Sequence, residues 1–180
     1  DLPISSSEVA NSIANPIIKA VSLTGSEQAG IAVATEAGKH LKKCVLELGG
    51  SNAFIILEDA NLDKAVAIAV NARMQNAGQS CIAAKRFLVH ENIVEEFVAK
   101  LKVAIQNLKT GNPFDKEMQI GSLARVDLAE ELEAQVQKSI QMGADLIVGG
   151  TRKEAFYEPT ILANVTTEMP VFNEETFGPV

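Results

Sequence analysis

The sequence predicts an α/β protein with a largely parallel sheet and flanking helices. Short apolar runs alternate with longer amphipathic segments along most of the 180 residues. These segments follow the order β-α-β-β-α-β-α-α-β, which fits a sheet with right-handed crossovers. Glycines stand at the positions where the helices and strands are expected to end.

The first part of the chain predicts a strand, a helix and a second strand. The residues of Ile18–Leu23 alternate in polarity as a strand does. Ser26 is placed to cap a helix that runs to about Ala37, with Gly38 as its stop. The apolar run Cys44–Leu48 predicts the second strand.

Glu47 lies inside that apolar run, just before Gly49 and Gly50. A carboxylate in an apolar strand costs free energy unless it is paired or lies at an exposed end. Two interpretations stay open at this point: an edge-strand glutamate that faces water, or a buried general base.

The middle of the chain predicts two strands around a helix. Ala53–Leu57 is a short apolar run of the kind found in covered parallel sheets. Asp59 or Asn61 is placed to cap the helix that follows, and Arg86–His90 predicts the next strand.

Two further amphipathic helices follow. Asn92 and Glu95 have the spacing of a capping box, and Gly111 is the expected end of the first helix. Its apolar stripe is Ile93, Phe97, Leu101, Ile105 and Leu108. The second helix is predicted over residues 126–142, and strands are predicted at 146–148 and 159–165.

Composition excludes several classes of protein. The chain is 47% hydrophobic and 22% charged, as soluble globular proteins are. A net charge of −7 argues against nucleic acid or an anionic membrane as a partner. No apolar run approaches the roughly 18 residues of a membrane span. The two cysteines have no metal-ligand spacing, so we expect no metal site and a reducing, cytoplasmic setting.

The stretch Asn76–Cys81 places a cysteine just after a glycine, at the exit of a patterned helix. Unpaired backbone N–H groups at such an end favour an anion, and the thiolate is the nucleophilic form of cysteine. The alternative is that Cys81 is an inert, buried thiol, which is the commoner state of a free cysteine.

Four motifs together give the chain a family resemblance. They are Glu47-Leu48-Gly49-Gly50, Gly78-Gln79-Ser80-Cys81, Glu175-Thr176-Phe177-Gly178-Pro179 and the turn Val21-Ser22-Leu23-Thr24-Gly25-Ser26. Taken together, they resemble the aldehyde dehydrogenase superfamily. Residues 84–87 and 121–128 are most similar to succinate-semialdehyde dehydrogenases.

The resemblance implies a covalent mechanism. Cys81 would be the nucleophile that forms a thiohemiacetal and then a thioester, and Glu47 would be the base that activates water to release the acid. The acylating branch of the family generally lacks this glutamate, so Glu47 favours hydrolysis. The residues that the resemblance implies for the coenzyme, NAD or NADP, are Gly25, Ser26, Leu48, Glu175 and Phe177.

The resemblance also implies a small aldehyde substrate, with succinate semialdehyde as the expected one. Some relatives bind the substrate carboxylate with an arginine shortly before the nucleophile. Here Gln75 stands six residues before Cys81, and Arg73 is the nearest arginine that precedes it. Arg73 and Gln75 are therefore candidates for substrate binding, the alternative for Arg73 being a solvated helix residue.

By the same resemblance, residues 1–49 are the C-terminal piece of a coenzyme-binding domain, and residues 50–180 are a catalytic domain truncated at its C-terminal end. We expect a fragment that folds but is inactive by itself, from a full-length homo-oligomer. Two rival functions stay open: a cysteine-dependent hydrolase or acyltransferase, which would use His40 or His90 as its base, and a non-catalytic α/β module.

Overall fold

A computed structural model of the protein describes residues 4–180 and confirms the α/β class. The helices of this range are α1 Ser6–Ala14, α2 Glu27–Lys39, α3 Leu62–Met74, α4 Val94–Gln106, α5 Val126–Gln141 and α6 Pro170–Asn173. Its strands are β1 Ala20–Thr24, β2 Lys43–Glu47, β3 Asn52–Ile56, β4 Ala84–Val89, β5 Asp145–Val148, β6 Arg152–Lys153, β7 Phe156–Tyr157 and β8 Ile161–Ala163.

The strands pair two by two. β1 pairs with β2 in parallel, and β3 pairs with β4 in parallel. Each parallel pair is connected through a helix, α2 or α3, as a crossover requires. β5 with β8 and β6 with β7 are antiparallel. The β6–β7 hairpin is too short to leave a periodic signal, and the sequence did not predict it.

The chain divides into two compact units, one ending at Gly49 and the other running from Gly50 to Val180. This division falls at the predicted domain boundary, while the roles assigned to the two parts stay predictions.

In the first unit, Ser26 caps α2 as predicted, because its Oγ accepts a hydrogen bond from the backbone N–H of Ala29 at 3.3 Å. The predicted stop at Gly38 is wrong. The helix continues to Lys39, and Leu41 takes the left-handed conformation, with φ 53°, that ends the segment.

In the second unit, α3 and α4 pack on one another beside the β3–β4 pair. Phe97, Leu101 and Ile105 of the predicted stripe are buried, and its outer members Ile93 and Leu108 pack against this core. In α5, Leu132 and Val136 are fully buried. The apolar stripe predicted for α4 is therefore confirmed, and α5 likewise buries apolar residues in the core.

The ends of α4 differ from the prediction. The helix begins at Val94 without a side-chain cap, and Asn92 instead donates from Nδ2 to Oε1 of Glu58 at 2.6 Å. The predicted capping box is wrong, because Asn92 is drawn to a carboxylate distant in sequence. Gly111 is not the helix end either, since α4 ends at Gln106. Of the two predicted caps for α3, Asn61 is the one used, and its Oδ1 accepts from the N–H of Lys64 at 3.0 Å.

Candidate active site

The chain reverses direction between α3 and the cysteine. After Met74 it forms one tight 3-10 turn at Gln75–Gly78, in which Asn76, Ala77 and Gly78 have φ of 54°, 53° and 74°. A left-handed residue other than glycine costs of order 1–3 kcal/mol, and such strain persists only where the surroundings hold it. The structure supplies that support from beneath the turn.

Gly78 leaves no room for a side chain. A Cβ at this position would lie 2.1 Å from the carbonyl oxygen of Gly178 and 2.5 Å from Nη2 of Arg73. The turn and the Gly178 segment therefore touch through their backbones, which only glycine at position 78 permits.

Arg73 lies under this contact and is 3% exposed. Its terminal nitrogens donate to the backbone carbonyl groups of Gly78, Ala84, Thr176 and Gly178. Burial lowers the pKa of Arg73 to about 10, and the charge of Glu175 opposes that shift. Arg73 is thus not a solvated helix residue, and its terminal nitrogens are engaged by the protein itself, while its buried Nε has no hydrogen-bond partner among residues 4–180.

Lys85 is the second buried cation, with a side chain that is 0% exposed. Its Nζ donates to the carbonyl oxygens of Ser80, Cys81 and Ala83 at 3.1, 3.2 and 3.4 Å. The same Nζ lies 3.3 Å from Oε1 of Glu175. Burial lowers the pKa of Lys85, and Glu175 opposes the shift.

Cys81 is exposed on the turn that Lys85 holds. Nδ2 of Asn52 also donates to its carbonyl oxygen, at 3.4 Å. Gln79 ties the turn to another loop, since its Oε1 accepts from the N–H of Ala124 at 2.8 Å. The thiol-bearing residue is therefore open to solvent while its backbone is fixed from inside.

Glu175 lies beside Lys85, and Phe177 follows it two positions further along the chain. The Glu175 side chain is 24% exposed. Its Oε1 is at ion-pair distance from Lys85, but the angles do not make a hydrogen bond, and among residues 4–180 this buried atom has no hydrogen-bond partner. The attraction between the two charges does not depend on this angle. Phe177 is 38% exposed.

The first unit holds the other predicted residues. The N–H of Gly25 donates to the carbonyl of Glu47 at 3.0 Å, and Glu47 is exposed at the end of β2. A Cβ on Gly25 would make only ordinary contacts, the nearest at 3.8 Å. The packing of the described residues therefore does not require glycine at position 25. Because Gly25 has no side chain, space remains at the start of α2.

Leu48 packs against the same helix. A Cβ on Gly30 would come within 2.7 Å of both methyl groups of Leu48. Because Gly30 has no side chain, Leu48 packs closely on α2. This contact fixes the end of β2 beside the helix N-terminus.

Gln75 differs from Arg73 although the two residues are close in sequence. Gln75 is exposed, and its backbone N–H caps α3 by donating to the carbonyl of Asn71. Of the two candidates for substrate binding, Gln75 is the one whose side chain reaches solvent.

The sequence of the chain matches the family described as "Aldehyde dehydrogenase family" over residues 2–180. The chain belongs to the aldehyde dehydrogenase family.

Curated relatives of this aldehyde dehydrogenase chain include succinate semialdehyde dehydrogenases. One from Escherichia coli K12, named for NAD(P)+, is 50% identical over 175 residues, which cover 96% of this chain and 38% of that protein. One from Deinococcus radiodurans, named for NADP+, is 48% identical over 171 residues, which cover 93% of this chain and 36% of that protein. The chain thus spans less than two-fifths of the length of these relatives.

Solved structures of the family have the same fold. The succinate-semialdehyde dehydrogenase of Burkholderia pseudomallei superposes with a TM-score of 0.94 at 35% identity, over 99% of this chain and 38% of that one. The Streptococcus pyogenes enzyme, solved with NADP+, also has a TM-score of 0.94, at 38% identity, over 99% of this chain and 40% of that one.

Several features of other site classes are missing from the described part of this aldehyde dehydrogenase chain. Residues 4–180 contain no cluster of three metal-ligating side chains, and none of their helices has the length and apolar character needed to cross a bilayer. Cys81 lies before β4 and His90 follows its end, so about 20 Å of strand separates them. His40 pairs with Glu36 of its own helix at 3.2 Å. These positions argue against a cysteine–histidine hydrolase.

Lys85 is the site residue that sequence reasoning missed. Its one signal is a lysine that stands with Arg86 at the start of a strand whose other residues are apolar, directly after the cysteine turn. Such a lysine must be paired or reach water, and the chain does not reveal which until the fold is known.

Proposed function

We propose that the full-length protein, meaning a protein of its relatives' length that carries these 180 residues, oxidises an aldehyde to the carboxylic acid with NAD or NADP. The observation that carries this proposal is the exposed Cys81 on a turn whose carbonyl groups are held by the buried Lys85. A nucleophile that must meet a substrate repeatedly needs both solvent access and a fixed backbone.

Cys81 performs the covalent chemistry. Its thiolate attacks the carbonyl carbon of the aldehyde, which forms a C–S bond and places the negative charge on the former carbonyl oxygen. Backbone N–H groups near the turn are suited to stabilise this oxyanion. The bound coenzyme supplies a hydride acceptor. When the C–H bond of the adduct breaks with loss of hydride, the electron pair of the oxyanion re-forms the C=O bond and a thioester remains on Cys81.

Glu47 completes the cycle. As a carboxylate it takes a proton from water, which then attacks the thioester carbonyl. The C–S bond breaks, the acid leaves and the Cys81 thiolate is restored. The exposed position of Glu47 at the end of β2 is compatible with contact to water.

Each unit, considered by itself, has groups suited to binding the coenzyme. Glu27 and Gln28 open α2, so their N–H groups have no acceptor within the helix and can bind a phosphate in the space that Gly25 leaves. In the second unit, the Glu175 carboxylate, on a side chain that is 24% exposed, can accept a hydrogen bond from a ribose hydroxyl. Leu48 and Phe177 are the apolar contacts proposed for the coenzyme.

Succinate semialdehyde is the proposed substrate, because the curated relatives at 48–50% identity are named for it. Gln75 is the better placed of the two candidate substrate residues, since it is exposed while Arg73 is buried among carbonyl groups. We further propose that residues 1–49 belong to the coenzyme-binding domain and residues 50–180 to the catalytic domain, and that the full-length protein is a cytoplasmic homo-oligomer.

The test compares the full-length protein with its Cys81→Ala and Cys44→Ala variants. Each is incubated with succinate semialdehyde, and separately with uncharged aldehydes of similar length, with NAD or NADP, while reduced-coenzyme absorbance is followed. Activity is expected in wild type and Cys44→Ala and absent in Cys81→Ala. Turnover in Cys81→Ala would overturn the proposed mechanism. A preference for uncharged aldehydes would overturn the assignment of succinate semialdehyde as the substrate.

A further inference from the structure

We propose that Lys85 is a positioning residue that joins the Cys81 turn to the coenzyme carboxylate Glu175. This inference rests on the proposed function, because it takes Glu175 as the group that holds the coenzyme. It assigns a role to a side chain that lies wholly beneath the surface and cannot reach the substrate from there.

The contacts of Lys85 with the turn concern backbone position. Its three donors face the carbonyl oxygens of Ser80, Cys81 and Ala83, on both sides of the nucleophile. An ammonium group can serve three acceptors at once, which a neutral side chain of this length cannot. Drawing these carbonyl oxygens inward leaves Cys81 itself on the exposed side of the turn.

The contact of Lys85 with Glu175 joins the turn to a segment 90 positions further along the chain. Among residues 4–180, Lys85 is the cation within ion-pair distance of this carboxylate, at 3.3 Å. Arg73 also acts on Glu175 through its charge, but its terminal nitrogens are occupied by backbone carbonyl groups. Glu175 therefore depends on Lys85 for its close counter-ion.

The geometry leaves Glu175 both held and available. Lys85 lies against the buried Oε1, while the side chain as a whole is 24% exposed, so part of the carboxylate stays open to a ligand. A buried ammonium needs its counter-ion, and the carboxylate in turn needs the ammonium. Movement of the Cys81 turn would consequently move Glu175, and the affinity for the coenzyme should depend on the position of the turn.

The experiment is a double-mutant cycle in the full-length protein, with Lys85→Met, Glu175→Gln and the double variant. Lys102→Met, an exposed lysine of α4, is the matched control. Coenzyme dissociation constants are measured by calorimetry with NAD and NADP, and the alkylation rate of Cys81 by iodoacetamide is measured by peptide mapping. Thermal unfolding separates these effects from loss of fold.

Lys85→Met is expected to weaken coenzyme binding by about 10- to 100-fold, the usual loss for a charge-assisted contact, and to change the alkylation rate of Cys81. In the Glu175→Gln background the same change should weaken binding by less than about threefold. Lys85→Arg, which keeps the charge, should recover most of the affinity, and Lys102→Met should match wild type.

Unchanged coenzyme affinity in folded Lys85→Met, or equal losses in both backgrounds, would overturn the inference and leave a purely structural lysine. If Lys85→Met does not fold, Lys85→Gln, which keeps donors but no charge, takes its place in the cycle with the same expected outcomes. Either failure leaves the requirement for Cys81 in aldehyde oxidation intact. Loss of the proposed function would appear separately, as absence of turnover in wild type.

Discussion

The guanidinium of Arg73 donates to the carbonyl of Gly178, a residue 105 positions away. Gly78 packs against the same carbonyl group so closely that an added Cβ would overlap it. One side chain thereby holds the turn before Cys81 and the segment that contains Glu175. The strained backbone at Asn76 and Ala77 is the conformation that this contact maintains.

Arg73→Met should lower the free energy of unfolding by roughly 3 kcal/mol or more, because it leaves several buried carbonyl groups without donors. Arg125→Met is the control, since Arg125 is an exposed residue paired with Asp127, and its change should stay within about 1 kcal/mol. Urea unfolding of the 180-residue chain measures both.

The same arginine variant decides its role in substrate binding. If Arg73 binds a carboxylate, the full-length variant should show a KM raised for succinate semialdehyde and unchanged for an uncharged aldehyde. The contacts of Arg73 lead us to expect similar changes for both substrates, and a selective effect would contradict the structural role.

Gly78→Ala should destabilise the chain by at least about 2 kcal/mol, since the added Cβ would overlap the Gly178 carbonyl at a φ of 74°. Gly38→Ala provides the contrast. Gly38 lies inside α2 with nothing within 4 Å of an added Cβ, so this change should stabilise by about 0.5–1 kcal/mol. Equal effects in the two variants would show that the backbone contact at Gly78 is not as close as described.

Tyr157 predicts a pH dependence of stability. Its side chain is fully buried, its hydroxyl has no hydrogen-bond partner among residues 4–180, and burial raises its pKa to about 12 from 10.0. A raised pKa means that the unfolded chain loses its proton first as pH rises. Stability is thus complete below pH 10 and falls between about pH 10 and 12, by roughly 2–3 kcal/mol from this group.

Tyr157→Phe removes the titrating group and should flatten this part of the pH profile. Because it also removes an unpaired buried hydroxyl, its stability at pH 7 should equal or exceed that of wild type. Denaturant titrations at several pH values measure both effects, and a marked loss of stability at pH 7 would reveal a partner for the hydroxyl.

The thiols of the 180-residue chain should differ in reactivity. Iodoacetamide at neutral pH is expected to modify the exposed Cys81 faster than the half-buried Cys44, as peptide mapping would show. A faster reaction at Cys44 would contradict the exposed position of Cys81.

The same 180-residue chain, incubated with succinate semialdehyde and NAD, should not sustain turnover at the rate of the full-length protein.

Glu47→Gln in the full-length protein should preserve a rapid burst of reduced coenzyme and slow the steady state that follows, because an amide cannot take the proton from water. Stopped-flow absorbance separates the two phases. An unchanged steady state would remove Glu47 from the release of the acid.

Local patterns in the sequence were sufficient for the helices, most strands and the position of the cysteine turn. Ser26 caps its helix through a hydrogen bond three residues away, and the stripe around Phe97 and Leu101 follows helical periodicity. Such features depend on neighbours in sequence. The ends of helices were less predictable, because Asn92 found a partner at Glu58 that no local rule could name.

Only the tertiary structure decided what Arg73 and Lys85 do. Each looks like a surface cation in the sequence, and each is buried because its acceptors come from distant segments, Thr176 and Gly178 for Arg73 and Glu175 for Lys85. A buried cation is tolerated when folding supplies enough acceptors and a counter-ion. The sequence by itself therefore determined where the proposed nucleophile, Cys81, stands, and the fold determined how its turn is held.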